Sequence, residues 1–157
     1  MICKDALVRV ILIFFSCLVS AIPAIAHSCN DFAKLPAPKI NVARLVRTDP
    51  TLGSPMLIIH ASIASHDLDE RHLIILACHL REKYSAEKQL VLRIFDEHKA
   101  AKEFNDTGEG NSQAMRASWR VYYTFDRKTN QELLEWRPDR VDRDKWVTIY
   151  LESLPKA

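Results

Sequence analysis

Glycine is scarce. The 157 residues contain three, Gly53, Gly108 and Gly110, far below the ~7% of an average chain. No two stand where a phosphate-cradling loop needs them. Neither G-x-x-x-x-G-K-S/T nor G-x-G-x-x-G can be written, which argues against nucleotide enzymes of the P-loop and Rossmann kinds. Charge of one sign is lacking as well. Lys and Arg total 22 and Asp and Glu 20, a formal charge of +2, so neither nucleic acid nor a membrane surface is favoured. No G-x-S-x-G occurs, and the remaining Ser, His and Asp residues have no spacing that forces a nucleophile triad. No cofactor is expected. Length alone points to one domain.

The clearest pattern is a leader over residues 1–26. Lys4 and Arg9 make a basic start, and Val10–Val19 is an apolar run of ten residues. Pro23 breaks the helix, and Ala24-Ile25-Ala26 supplies small residues before His27. That is the order of a secretory signal peptide. An uncleaved anchor is the rival, but Val10 to Ala26 is only 17 residues with Pro23 inside, at the short edge of what spans a bilayer. Export to the periplasm or the outside is expected, with no membrane attachment after cleavage. Losing Lys4 and Arg9 against Asp5 brings the formal charge from +2 to +1, and nucleic acid is not an expected partner.

Cleavage also removes Cys3 and Cys17 and leaves Cys29 and Cys78. An even count in an oxidising compartment predicts a disulfide between them. Closing that loop is worth on the order of 4 kcal/mol in the chain-entropy model.

Residues 27–55 carry Pro36, Pro38, Pro50 and Pro55 and read as an irregular arm, with 40–46 an edge strand. Residues 56–157 read as the single α+β domain. In 56–64, Leu57, Ile59, Ala61 and Ile63 alternate with Ile58, His60 and Ser62, as in a strand with one apolar face. Asp67 with Glu70 signals a helix start. In the helix to Tyr84, Leu73, Leu76, Ala77 and Leu80 share a side. Residues 90–95 are the next strand, parallel to the first. Asp96 caps a short helix over 97–104, expected on the same side of the sheet as the first. Residues 115–125 alternate throughout and predict a central strand with Trp119 in the core. Residues 126–130 turn into a hairpin partner over 132–137, and 146–151 is the last strand. The expected fold is a two-layer α+β sandwich, two helices on one face of a mixed sheet of four to six strands.

Six histidines raise a metal hypothesis, yet no spacing supports it. His72 and His79 are seven apart, roughly 10 Å along a helix, too far to share an ion. Asp139, Asp142 and Asp144 lack the glycine and terminal Glu of a calcium loop and alternate with cations. No metal site is expected. Asp106-Thr107-Gly108 has the triplet of aspartic proteases but follows a helix rather than an apolar strand. Asn105-Asp106-Thr107 also reads as a glycosylation sequon, which five asparagines make an ordinary coincidence.

One constellation remains. If the apolar phases face the helices, the opposite face carries His60, Arg93, Arg116, Arg120 and Tyr122, joined by Glu135. Guanidinium forks hold carboxylate, phosphate or sulfate in bidentate fashion. The expected function is a non-catalytic binding or interaction module using this face for an anionic ligand or an acidic protein surface. The alternative is a small hydrolase or transferase with a site at the strand ends near His60, His66 and Asp96. A solvated outer face is the plain reading of the same residues.

Overall fold

The computed structural model describes residues 27–49, 51, 55–139 and 145–151. The leader expected over 1–26 and the loop residues Asp142 and Asp144 lie outside the described residues.

Among the described residues six strands form one sheet in sequence order: β1 (Ile40–Arg47), β2 (Met56–Ile63), β3 (Gln89–Phe95), β4 (Trp119–Asp126), β5 (Gln131–Trp136) and β6 (Val147–Ile149). Strands β2 and β3 are parallel and the other neighbours antiparallel. Among these six strands the parallel pair is the one joined through a helix, as a crossover requires. The α+β sandwich with a mixed sheet is as the sequence predicts. The sheet reaches back into the stretch 27–55, where β1 forms one edge.

Helix α1 is the single turn Cys29–Phe32, and helix α2 is Glu70–Lys83. Asp69, two residues later than the predicted start, caps α2 by accepting from the His72 amide at 2.9 Å, while Ser65–Asp67 forms a 3-10 turn. Helix α2 lays Leu73, Leu76, Ala77 and Leu80 on Leu57, Ile59, Leu92, Ile94, Val121, Tyr123 and Phe125, all buried. Cys29 and Cys78 are bonded, with 5.3 Å between Cα atoms, so the disulfide fastens α1 to α2. His79 adds a second tie, from Nε2 to the Leu35 carbonyl at 2.7 Å.

Helix α3 (His98–Glu103) departs from expectation. It packs on the opposite face, where Ala100, Ala101 and Phe104 cluster with Phe95 and, more loosely, with Ala43, Met115 and Trp119. The two helices on the apolar face are α1 and α2. The sequence placed α3 there because a short helix has too few turns for its apolar side to be read against the sheet. Nor does Asp96 cap it. Glu97 holds the cap position without a side-chain bond, and Asp96 is buried against Arg120 at 3.0 Å.

Residues 113–118 are a helix, α4 (Gln113–Ser118), which takes the first four residues, 115–118, of the predicted strand. Ser112 caps it by accepting from the Met115 amide at 3.2 Å, and Gln, Ala, Met and Arg are good helix formers. The deciding reason is tertiary. The neighbouring β3 ends at Phe95, paired with Trp119, so residues before 118 have no strand to join. One further irregularity sets the faces. Ile94 pairs with Val121 while Phe95 pairs with Trp119, so Arg120 is an extra residue. Such a bulge reverses the side on which the preceding residue falls. Trp119 is consequently half-buried with the outer cluster and does not enter the main core predicted for it. The strand itself is central, as expected.

Candidate functional site

On the outer face the strand registers align a row across the sheet. Arg44 pairs with His60, His60 with Arg93, Arg93 with Tyr122, Tyr122 with Glu135 and Glu135 with Thr148. Each is at the same level of its strand, so their side chains share one face and one line. His60, Arg93 and Tyr122 are thus brought together.

The cationic end of this row closes on one carboxylate. Asp106, in the loop between α3 and α4, accepts from Arg44 Nη2 on Oδ2 at 2.7 Å. Its Oδ1 accepts from His60 Nε2 at 2.9 Å and from Arg93 Nη1. His60 is fully buried, under Phe95 and Phe104 with ring centroids about 6 Å away. Its Nδ1 is 3.3 Å from the Ala101 carbonyl. Burial pulls its pKa below the ordinary value of 6.5. Asp106 opposes this, while the charges of Arg44 and Arg93 add to it. A neutral His60 has a single proton, and the shorter contact with the charged acceptor places it on Nε2, donated to Asp106.

Arg93 is enclosed by rings. Its guanidinium carbon lies 6.0, 5.8 and 5.9 Å from the centroids of Phe104, Trp119 and Tyr122, within cation–π range. Beside it opens a groove of about 340 Å³ lined by Arg93, Phe104, Asp106, Arg116, Trp119 and Trp146 among others. Trp119 and Trp146 meet edge to face at 5.2 Å. Arg137 completes the wall: its guanidinium lies 4.9 Å over the Trp146 ring and donates from Nη2 to the Arg116 carbonyl at 2.6 Å. The far wall is the loop of Thr107 and Gly108. Gly108 and Gly110 both have positive φ, 79° and 74°, which other residues adopt at a cost.

Arg116 and Arg120 do not join the row. Arg116, on α4 instead of a strand, is exposed on the groove's rim and donates to the Gly108 carbonyl at 3.3 Å. Arg120, the bulge residue, is buried and bonds Asp96 and the carbonyls of Arg137 and Pro138 at 2.9–3.0 Å. The trio His60, His66 and Asp96 is engaged separately: His60 with Asp106, exposed His66 with Asp67 at 3.6 Å, and Asp96 with Arg120. Among the described residues no group of three or more His, Cys, Asp or Glu is placed to hold a metal ion. No helix among them is long and apolar enough to cross a membrane.

Sequence reasoning missed Arg44, Asp106 and the aromatic walls Phe104 and Trp146. Nothing local marks Asp106 as the partner of a basic row, because its three donors come from strands 13 to 62 residues away. The one available signal was an acid, Asp106 or Glu109, in a glycine-bearing polar loop that must return to the sheet.

No protein-family model matches the chain, and no curated protein or solved structure is significantly similar to it. The functional reading therefore rests on the site itself.

Proposed function

We propose that the chain is an exported, non-catalytic binding module whose ligand sits in the groove between Trp119, Trp146 and the 105–111 loop. The ligand joins an acidic group to a flat or apolar body. The observation that carries this reading is the lining: three guanidiniums, Arg93, Arg116 and Arg137, against the single carboxylate of Asp106, with Phe104, Trp119 and Trp146 as walls. Cations beside flat apolar surfaces complement such a ligand, and the groove lies near the lower end of ordinary small-molecule sites, ~300–1,000 Å³. A small acid, or one acidic side chain of a protein surface, is of matching size. Arg116 is the exposed cation at the rim and makes the first contact with the anion. Export is supported by the leader pattern and by the Cys29–Cys78 disulfide.

Two of the chain's three tryptophans line the groove, so intrinsic fluorescence reports occupancy. Titrating the purified chain with aromatic and sugar acids should change the emission in a saturable, salt-sensitive way. Arg116→Gln should weaken binding about tenfold, the worth of one charge-assisted hydrogen bond, and move stability by less than ~0.5 kcal/mol. Emission changes equal in wild type and Arg116→Gln across the panel would rule the groove out.

A further inference from the structure

The carboxylate of Asp106 is held as a ligand is held. Its donors come from three adjacent strands in one register, Arg44 on β1, His60 on β2 and Arg93 on β3. It arrives from a separate loop. The two arginines and neutral His60 leave an excess of one positive charge after Asp106 is counted. The Nε atoms of Arg44 and Arg93 are buried without a hydrogen-bond partner among the described residues. Buried donors of charged groups are costly to leave unmet, so the two arginines keep hydrogen-bonding capacity beyond what Asp106 takes up.

The loop is braced within itself. The Asn105 amide donates to Asn111 Oδ1 at 2.8 Å, and Asn111 Nδ2 donates to the Asn105 carbonyl at 2.7 Å. Its other links to the rest of the chain include the long bond from Arg116 to Gly108. Asp106 thus ties to the sheet the exposed tip of a loop that has bonds of its own and buried ends at Phe104 and Asn111.

We infer that the Arg44–His60–Arg93 row is a carboxylate-binding seat, that Asp106 occupies it as an internal ligand, and that an external carboxylate competes with Asp106 and displaces the 105–111 loop. The inference deepens the proposed binding role, since that loop is a wall of the same groove, but the seat is testable without it. A planar carboxylate fits because the present contacts divide between two oxygens, one facing Arg44 and the other facing His60 and Arg93. The rings around Arg93 favour an acid with an aromatic body.

The test uses the full chain and the variants Asp106→Ala and Asp106→Asn, titrated calorimetrically with benzoate and acetate against chloride at matched ionic strength. Both variants should bind benzoate about tenfold or more tightly than wild type, because the competing charged acceptor is gone. Acetate should bind more weakly and chloride not at all. Adding Arg44→Gln to Asp106→Ala should remove the gain. In wild type, saturating benzoate should speed amide exchange at residues 107–110. The Asn variant keeps the size of the side chain and carries the test if the Ala variant does not fold. Equal affinity in wild type and variants overturns the seat. Wild-type binding that leaves exchange at 107–110 unchanged overturns the competition and leaves the groove reading standing. A gain on removing Asp106, together with wild-type binding indifferent to Arg116→Gln, supports the seat and removes the groove reading.

Discussion

The two faces of the sheet are built on different principles. Under α2, every strand contributes aliphatic or ring carbon to one continuous core, from Leu57 through Leu92 and Tyr123 to Ile149. Its main polar feature is a satisfied one. The Tyr123 hydroxyl donates to Glu132 at 2.6 Å, and Glu132 in turn accepts from Arg81. Burial and the neighbouring Glu132 push the Tyr123 pKa well above its ordinary value, so the hydroxyl keeps its proton. Across the sheet, a short helix covers a cluster of four buried residues. The rest of that face is guanidinium, imidazole, carboxylate and rings, with buried donors unmet. The α2 face has an unmet donor too, since Trp136 Nε1 is buried against the core with no hydrogen-bond partner among the described residues. What separates the faces is the concentration of charged groups beside an open groove, the setting proposed above for a ligand.

The sharpest way to break this comparison is to truncate one large side chain on each side. Leu92→Ala, at a site with no exposure, should cost about 4 kcal/mol, in the upper part of the range for buried Leu→Ala changes. Chemical denaturation measures it. A loss below ~1 kcal/mol would mean that α2 does not cover the true core.

Next in size is the tie that holds α1 to this face. With the bonded cysteines 49 positions apart in sequence, reduction should cost about 4 kcal/mol at most by the loop-entropy relation. Denaturation with and without reductant gives the value. Intact mass should show the gain of two hydrogen atoms only after reduction, and free thiols in protein recovered outside the cytoplasm would contradict the bond.

Trp119→Ala tests the other side. Trp119 is half-buried among Phe104, Tyr122 and Trp146, and its Nε1 donates to the Val121 carbonyl at 2.9 Å. Its loss should cost about 2 kcal/mol, below the 3–5 kcal/mol typical of a fully buried Trp. A cost equal to that of Leu92→Ala would make the outer cluster as integral as the core and erase the distinction.

The smallest effect is a pH slope. His60 in the folded chain has its pKa lowered from 6.5. The unfolded chain therefore takes up this proton first as pH falls, and protons bound preferentially by the unfolded state destabilise the fold. The contribution is fully present above about 6.5 and is lost progressively as pH drops toward the folded value. His60→Gln should flatten that part of the stability profile, measured by urea midpoints between pH 7.5 and 5. An unchanged profile would show that some other group sets the slope.

Much of the fold was legible because its main signals are local. The alternation of Leu57, Ile59, Ala61 and Ile63 and the helical spacing of Leu73, Leu76, Ala77 and Leu80 each report a face within a single element, and all eight are buried. Residues 115–118 read as strand because Met115, Arg116, Ala117 and Ser118 alternate as a strand does, whereas they close helix α4. Whether they pair depends on where β3 ends. The site was half legible. His60, Arg93 and Tyr122 lie on the phase opposite the apolar one, and that phase is a property of each strand alone. Their alignment into one row is a property of register between strands.

What the chain determines residue by residue is periodicity. It places strands, the long helix, the face each strand turns inward and the even pair of cysteines, because side-chain direction repeats every two residues in a strand and every 3.6 in a helix. The tertiary structure alone decided three things. The bulge at Arg120 turned Trp119 outward and drew Arg120 into its pair with Asp96. The end of β3 made 113–118 a helix. The 105–111 loop brought Asp106 onto Arg44, His60 and Arg93. Each depends on contacts between segments distant in sequence, whose registry comes from packing the whole sheet at once, and no periodicity within a segment encodes it.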